Sequence, residues 1–300
     1  MISYSDYITQ RLGCKVQKIA IDAGFSCPNR DGKLSTGGCA FCNNRTFSPP
    51  YCSPQKSVTQ QINEGIDFFA HRGGAADSYL AYFQAYSSSY GKTEDLLRIY
   101  GEALSHPRVC GMIVGTRPDC IADDLLDALQ NIAREKYICF DIGAESTYDA
   151  TLSAINRGHT WSQTIDAVKR VAAAKIDIGL HLIMGLPGET RQMMLDEAKE
   201  VSKLPINILK LHQLQIVRGS AFENLYARQP EKFRLFEAEE YAEFCAQFVQ
   251  RLRPDIAIDR FTNQSPPQWV IAPRWNIKNQ EFTRLVEAKL NALQGVNASL

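Results

Sequence analysis

Cys27-Pro-Asn-Arg-Asp-Gly-Lys-Leu-Ser-Thr-Gly-Gly-Cys39-Ala-Phe-Cys42 is the stretch on which the reading of this chain turns. It follows directly on an apolar run, Val16–Asp22, and holds three thiols in a loop that contains Gly37-Gly38. Three thiolates suit a cubane [4Fe–4S] cluster that must keep one iron open, because four would close every site. The C-x-x-C step lets one turn of chain reach two corners, and the paired glycines let backbone pass close to the sulfides. Other uses of these thiols stay open at this point. A structural zinc site wants four ligands, and the nearest fourth is Cys52, ten residues on, or a remote histidine. A thioredoxin-like redox pair fits poorly with a loop setting. Buried, unreactive cysteines are the plainest alternative.

Working outward, short apolar runs alternate with amphipathic stretches up to about residue 215. The predicted strands are Val16–Asp22, Ser78–Phe83, Val109–Gly115, Tyr137–Gly143, Ile176–Met184 and Ile208–Ile216. Helical spacing falls between them at Val58–Ala70, Lys92–Ser105, Ala122–Glu135, Thr160–Ala174 and Thr190–Lys203. Repeated β-α units predict crossovers and a parallel sheet. Six strands are too few for a closed eight-stranded barrel. The expected class is therefore α/β, a partial (β/α)6 TIM-like barrel with its site at the C-terminal ends of the strands. Residues 216–300 are expected to form a small C-terminal α+β unit appended to a 1–215 core. In it a charged helix is predicted over Pro230–Gln250, strand-like runs over Arg251–Ala272, and a closing helix over Phe282–Leu293.

Lys+Arg and Asp+Glu number 33 each in 300 residues, so no overall field draws in nucleic acid or anionic membrane. No apolar run reaches the length of a membrane span, and Met-Ile-Ser-Tyr-Ser-Asp-Tyr carries neither a basic leader nor a signal core. A cytoplasmic location is expected. Nine cysteines, an odd number, argue for reduced thiols rather than a disulfide framework.

Further stretches stand in a characteristic order: Tyr82-Phe83-Gln84-Ala85-Tyr86, Gly115-Thr116-Arg117-Pro118-Asp119, Asn156-Arg157-Gly158-His159, Gly185-Leu186-Pro187-Gly188-Glu189 and Ile216-Val217-Arg218-Gly219-Ser220. Together with the cysteine loop they resemble radical S-adenosylmethionine (SAM) enzymes. The gap of eleven residues before Cys39 departs from the usual three. It is similar instead to the long-gap subgroup of the Elongator catalytic subunit and its stand-alone bacterial relatives of the YhcC/YtqA type. The resemblance implies a [4Fe–4S] cluster on Cys27, Cys39 and Cys42, its open iron chelating SAM. An electron from a flavodoxin- or ferredoxin-like donor then yields methionine and a 5′-deoxyadenosyl radical that takes a hydrogen atom from the substrate. It places SAM contacts at Gln84, Ala85 and Tyr86, where the family's glycines are missing and only backbone contact carries over. Thr116 and His181 are further contacts. Glu145 would accept ribose hydroxyls and Arg157 would pair a carboxylate. The Gly185–Gly188 turn and the helix start after it are expected to abut the cofactor. No catalytic residue is assigned beyond cluster and SAM.

For substrate, the resemblance points first to the C5 side chain of the tRNA wobble uridine. Arg251, Arg253, Arg260, Arg274 and Lys278 interleave with Phe261, Trp269 and Trp275, a mixture that suits RNA phosphates and splayed bases. Residues 241–300 nevertheless hold seven Lys/Arg against five Asp/Glu, which keeps open a lyase acting on a free modified nucleobase such as queuine. A non-catalytic, zinc-stabilised nucleic-acid-binding module is the third reading.

Overall fold

The computed structural model describes residues 1–46, 48–72, 76–263 and 265–297. The chain opens with β1 (Ile2–Ser3) and α1 (Tyr4–Leu12), then enters the repeating pattern with β2 (Val16–Ile21), α2 (Val58–Ala70), β3 (Ser78–Phe83) and α3 (Thr93–Leu104). Next come β4 (Val109–Thr116), α4 (Asp123–Ile132), β5 (Tyr137–Glu145), a short α5 (Asp149–Ala154) and α6 (Trp161–Ala173). They are followed by β6 (Asp177–Met184), α7 (Arg191–Ser202), β7 (Ile208–Gln213) and β8 (Ile216–Val217). The remainder is α8 (Ala221–Arg228), α9 (Ala238–Arg251), β9 (Ala257–Arg260), β10 (Val270–Ala272) and α10 (Asn279–Asn297). All six predicted strands and five predicted helices of the repeating part form. Local chemistry explains the boundaries. Thr160 and Gln163 close a capping box on α6, while Ser57 and Thr190 accept from backbone amides at the starts of α2 and α7.

The main sheet has eight strands in the order β1-β9-β7-β6-β5-β4-β3-β2, and every pairing in it is parallel. Six strands were expected. β9 supplies a seventh by pairing with β7, and the N-terminal β1 supplies an eighth on β9. A four-residue strand carries no local mark of the sheet it will join. The C-terminal residues therefore extend the core sheet as well as forming a small antiparallel ribbon, β8 with β10. The predicted helix over 230–250 begins only at Ala238, because Phe233 turns inward against Phe222 and Tyr226 at 5.0 and 5.5 Å.

The sheet curls into an open barrel. β2 and β9 lie six strand steps apart, which in a flat sheet would be roughly 29 Å, yet Lys18 Nζ on β2 is 2.7 Å from Asp259 Oδ2 on β9. The outer face carries the large core against the helices, with Phe83, Val114, Phe140, Leu180 and Leu211 fully buried. The inner face holds a smaller apolar plug at the N-terminal end, where Ile8 of α1 meets Leu80, Ile113, Cys139 and Ala257. Above the plug the lumen turns polar, and the strand ends open on a cavity.

Candidate active site

The cysteine loop leaves β2 at this open end. Its shape is set by backbone bonds from Arg30 and Asp31 to the Cys27 carbonyl (2.8 and 3.1 Å), from Gly38 to Asn29 (2.7 Å), and from Cys42 to Cys39 (3.0 Å). Gly38 takes φ +75°, and a Cβ there would stand 2.8 Å from Arg30 Cζ. Arg30 thus lies over the glycine and donates from Nη2 to the Cys42 carbonyl at 2.9 Å. Cys27 and Cys39 are buried and Cys42 is half-buried. All three line one cavity of about 160 Å³.

Cys39 Sγ receives two donors, Asn29 Nδ2 at 3.5 Å and Arg157 Nη1 at 3.4 Å. Asn29 also donates to the carbonyls of Asn156 and Arg157, and Asn156 Nδ2 returns a bond to Gly38 O at 2.8 Å. The segment 156–159 is thereby locked to the cysteine loop. Arg157 further contacts Gly143 O and Glu145 Oε1 (3.3 Å) through Nη2, and His159 Nε2 (3.0 Å) through Nε. Burial, with Arg157 and Arg117 alongside, pushes the His159 pKa down to about 2. Its neutral ring can therefore accept that bond. Arg117, 1% exposed, braces the segment from Nη1 to Arg157 O (2.6 Å) and forks onto Asp119.

These surroundings fit a thiolate-held cluster. Burial raises the Cys27 thiol and, with Cys39 beside it, pushes Cys42 up to about 11, so both hold their protons at neutral pH without a metal. A cluster held by these thiols would take them as thiolates, and the cationic and amide donors at Cys39 would then meet negative sulfur. The nearest fourth donor of the zinc reading is not at the site. Cys52 faces away, its thiol donating to Ala20 O at 3.0 Å, and it does not line the cavity. Among the described residues no three metal-ligating side chains converge on a single-ion site.

The other predicted contacts separate. Gln84, Tyr86, Thr116, Glu145, Arg157 and His181 line the same cavity as the cysteines. Tyr86, at φ +59° and 43% exposed, stands at its mouth, with its amide on Asn44 Oδ1 at 3.1 Å. Glu145, also at positive φ, follows a bulge between the Gly143 and Glu145 pairings with β6. Ala85 is buried behind the wall. The Thr116 hydroxyl is engaged with Ser87 (2.8 Å) and Ser89 (2.6 Å).

Three further placements concern residues singled out in the sequence. Arg157, expected to clamp a carboxylate, has most of its donors on Cys39, Gly143, Glu145 and His159. The Gly185–Gly188 turn lines a separate small cleft with Arg191 and Phe236, because Leu186 is drawn into the apolar cluster of Leu152 and Ile183. The basic and aromatic tail residues do not form one face. Arg253 is spent on Asp255 and the carbonyls of Ser202, Leu204 and Ile206, Arg251 on Gln247 O, and Trp275 stacks on Phe282.

Arg157→Gln is expected to leave Glu145 poorly compensated and Cys39 without its guanidinium. Urea unfolding should show a loss of about 3 kcal/mol. The iron retained per chain after reconstitution should fall with it.

The reading by pattern missed the polar lumen beneath the cavity. Lys210 Nζ bonds Asp141 Oδ2 and lies 3.2 Å from Tyr82 Oη and from Asp259 Oδ2, while His181 Nε2 is 2.8 Å from Asp141 Oδ1. Burial alone would raise the Asp141 carboxyl, but His181 and Lys210 hold it well below the usual carboxylate range. The signal was present: a charge set within each of two otherwise apolar runs, Tyr137–Gly143 and Ile208–Leu211.

Comparison with known proteins agrees with this geometry. The sequence model of the radical SAM superfamily matches residues 32–201, and that of the Radical_SAM C-terminal domain matches residues 206–292. Protein YhcC of Escherichia coli (strain K12) is 34% identical over 274 residues, covering 89% of this chain and 85% of YhcC. Uncharacterized protein YtqA of Bacillus subtilis (strain 168) is 28% identical over 284 residues, 95% of this chain and 87% of YtqA. A tRNA uridine(34) acetyltransferase of Methanocaldococcus jannaschii matches more narrowly, 22% over 148 residues, 48% of this chain and 27% of that protein. Among solved structures, Elp3 of the archaeon Methanocaldococcus infernus superposes with a TM-score of 0.66 at 14% identity, covering 94% of this chain and 63% of Elp3. That similarity shows the fold. The chain belongs to the radical SAM superfamily, in the subgroup that holds the Elongator catalytic subunit and the stand-alone YhcC and YtqA proteins.

Proposed function

We propose that Cys27, Cys39 and Cys42 hold a [4Fe–4S] cluster with one iron left for SAM, and that the enzyme modifies the C5 side chain of the tRNA wobble uridine. The observation that carries the cluster assignment is that all three thiols open on one cavity while Arg157 and Asn29 donate to Cys39. When bound, cluster and SAM supply reductive cleavage of the sulfonium and abstraction of a substrate hydrogen atom. The chain's own residues position and enclose. Glu145, oriented by Arg157, accepts ribose hydroxyls, and the strand-end turn Gln84–Tyr86 offers backbone to the amino acid part of SAM. Thr116 and His181 shape the wall between them. Tyr86 narrows the mouth against water. A flavodoxin- or ferredoxin-like protein is the electron donor in this reading.

The tRNA part is supported by the similarity to tRNA uridine(34) acetyltransferases. Support also comes from the rim, where exposed Arg45 and Arg218 sit beside the lining residues Asn44 and Val217. Asn43 Nδ2 donates to Arg218 O at 2.6 Å and ties the two loops together. Anaerobically reconstituted protein, given dithionite and SAM, is expected to form 5′-deoxyadenosine, and bulk tRNA should raise its yield severalfold. tRNA binding should weaken steeply with salt, as several phosphate contacts require. A yield indifferent to tRNA, with no binding at low salt, would sink the tRNA assignment and leave the cofactor chemistry standing.

A further inference from the structure

The cavity wall built by β7 and β9 carries a charge to which the described residues give no counter-ion. Three cations reach the lumen there, Lys18, Lys210 and Arg260, against two carboxylates, Asp141 and Asp259. Lys18 is 2.7 Å from Asp259, and Lys210 bridges Asp259 (3.2 Å) and Asp141, so two lysines match two carboxylates. Arg260 forms no ion pair with a carboxylate of the described residues. Its side chain makes one hydrogen bond, from Nε to His212 Nε2 at 3.1 Å. That bond requires a neutral imidazole with its proton on Nδ1. Burial, followed by the charges of Arg260 and the neighbouring His181 and Lys210, keeps His212 in that form. Other guanidinium groups of the cavity behave differently: Arg117 and Arg157 have Asp119 and Glu145, and Arg30 lies on the cysteine loop.

The backbone is built to put Arg260 there. Ile258 pairs with Leu209, but the next residue of β7, Lys210, pairs with Arg260, so a bulge leaves Asp259 unpaired in the ladder. In a regular strand neighbouring side chains take opposite faces. The bulge lets both Asp259 and Arg260 reach the inner side. Beyond it Asn263 N donates to Gln213 Oε1 at 3.0 Å and Gln213 Nε2 to Asn263 O at 3.3 Å, fixing the two strand ends to each other. Arg260, His212, Gln213 and Asn263 all line the cavity.

We propose that Arg260 and His212 form an oxyanion subsite that takes an anionic group of the substrate, a carboxylate or a phosphate. The inference rests on the reading of this cavity as the reaction chamber. The one hydrogen bond of Arg260 uses Nε and leaves its two terminal nitrogens for bidentate pairing, and the His212 Nδ1–H adds a neutral donor. An anion there cancels the surplus positive charge of the lumen. It also fixes the substrate from β7 and β9, strands other than the one that leads into the cysteine loop.

The test uses the intact, reconstituted chain with two probes. Inorganic phosphate is followed by ³¹P line broadening and acetate by proton saturation transfer. The wild type is expected to bind one of them, and which one identifies the source of the anion. Arg260→Gln should weaken that binding about tenfold or more, whereas Arg260→Lys, which keeps charge but not the fork, should lose about threefold. His212→Gln should also weaken it and serves if Arg260→Gln does not fold. Binding unchanged in these variants, or neither anion binding the wild type up to about 50 mM, would overturn the subsite. The readout needs no SAM cleavage. A protein that forms no 5′-deoxyadenosine yet binds the anion through Arg260 therefore fails the reading above and keeps this one.

Discussion

Cys39→Ala is expected to abolish formation of 5′-deoxyadenosine while leaving a folded chain. Cys39 is the ligand candidate with the most support, since Asn29 and Arg157 both donate to its sulfur. Losing one of three thiolates leaves two, too few to hold a cubane cluster in place. Iron per chain and the brown colour of the reconstituted protein should fall to near background. The thermal melt of the metal-free protein should stay close to that of the metal-free wild type, because a small thiol at 5% exposure is exchanged for a methyl group. A Cys52→Ala variant should keep both iron and 5′-deoxyadenosine, since Cys52 packs elsewhere. A Cys39→Ala protein that retains full iron and activity would overturn the ligand set.

Lys210→Met should produce the largest loss of stability. Lys210 is 2% exposed and its ammonium is shared by Asp141 and Asp259. Methionine fills the space but leaves those buried carboxylates short of a cation, a change that costs about 3–5 kcal/mol. Measured against the 5–15 kcal/mol usual for a domain, that is a large fraction. The pH dependence identifies the cause. In the wild type Asp141 and Asp259 are held below their unfolded values, so their contribution is present above pH ~3.9 and is lost as the pH falls through the depressed folded values. Without Lys210, Asp141 keeps His181 and Lys18 against burial, so its folded pKa moves up toward the unfolded one and less of that contribution remains. The deficit of the variant should then narrow as the pH is lowered below about 4, where the wild type loses the larger contribution. Adding Asp141→Asn should recover part of it, because both partners of one pair are then gone. Urea melts at several pH values check all three, and a deficit constant with pH would point to lost packing instead.

The strands and helices of the repeating core were legible because their cause is local. Val16–Ile21 and Ser78–Phe83 are short apolar runs, and α2 or α6 shows helical spacing behind a capping residue. The three-cysteine loop was legible for the same reason, its thiols lying within sixteen residues. What pattern could not reach was pairing across the chain. Asn29 finds its partners 127 and 128 residues away at Asn156 and Arg157, and Lys18 meets Asp259 across 241. β9 reads as one short run among several in the tail, yet it completes the lumen. The partners of Arg157, Cys39 and His159 among them, could not be read from pattern because tertiary contacts set them.

By itself, then, the sequence determined the parallel α/β architecture, the strand ends on which the cavity opens, and the loop that carries the three thiols. Those follow from periodicity and spacing, which act over a few residues. Tertiary structure decided which charges face the cavity and which are neutralised. Asp141, Lys210, Asp259 and Arg260 are spread over 120 positions, and only the curl of the sheet and the bulge in β9 bring them together. Burial makes each such charge costly unless another meets it. Whether a charge is met depends on contacts between strands, and no local pattern encodes those.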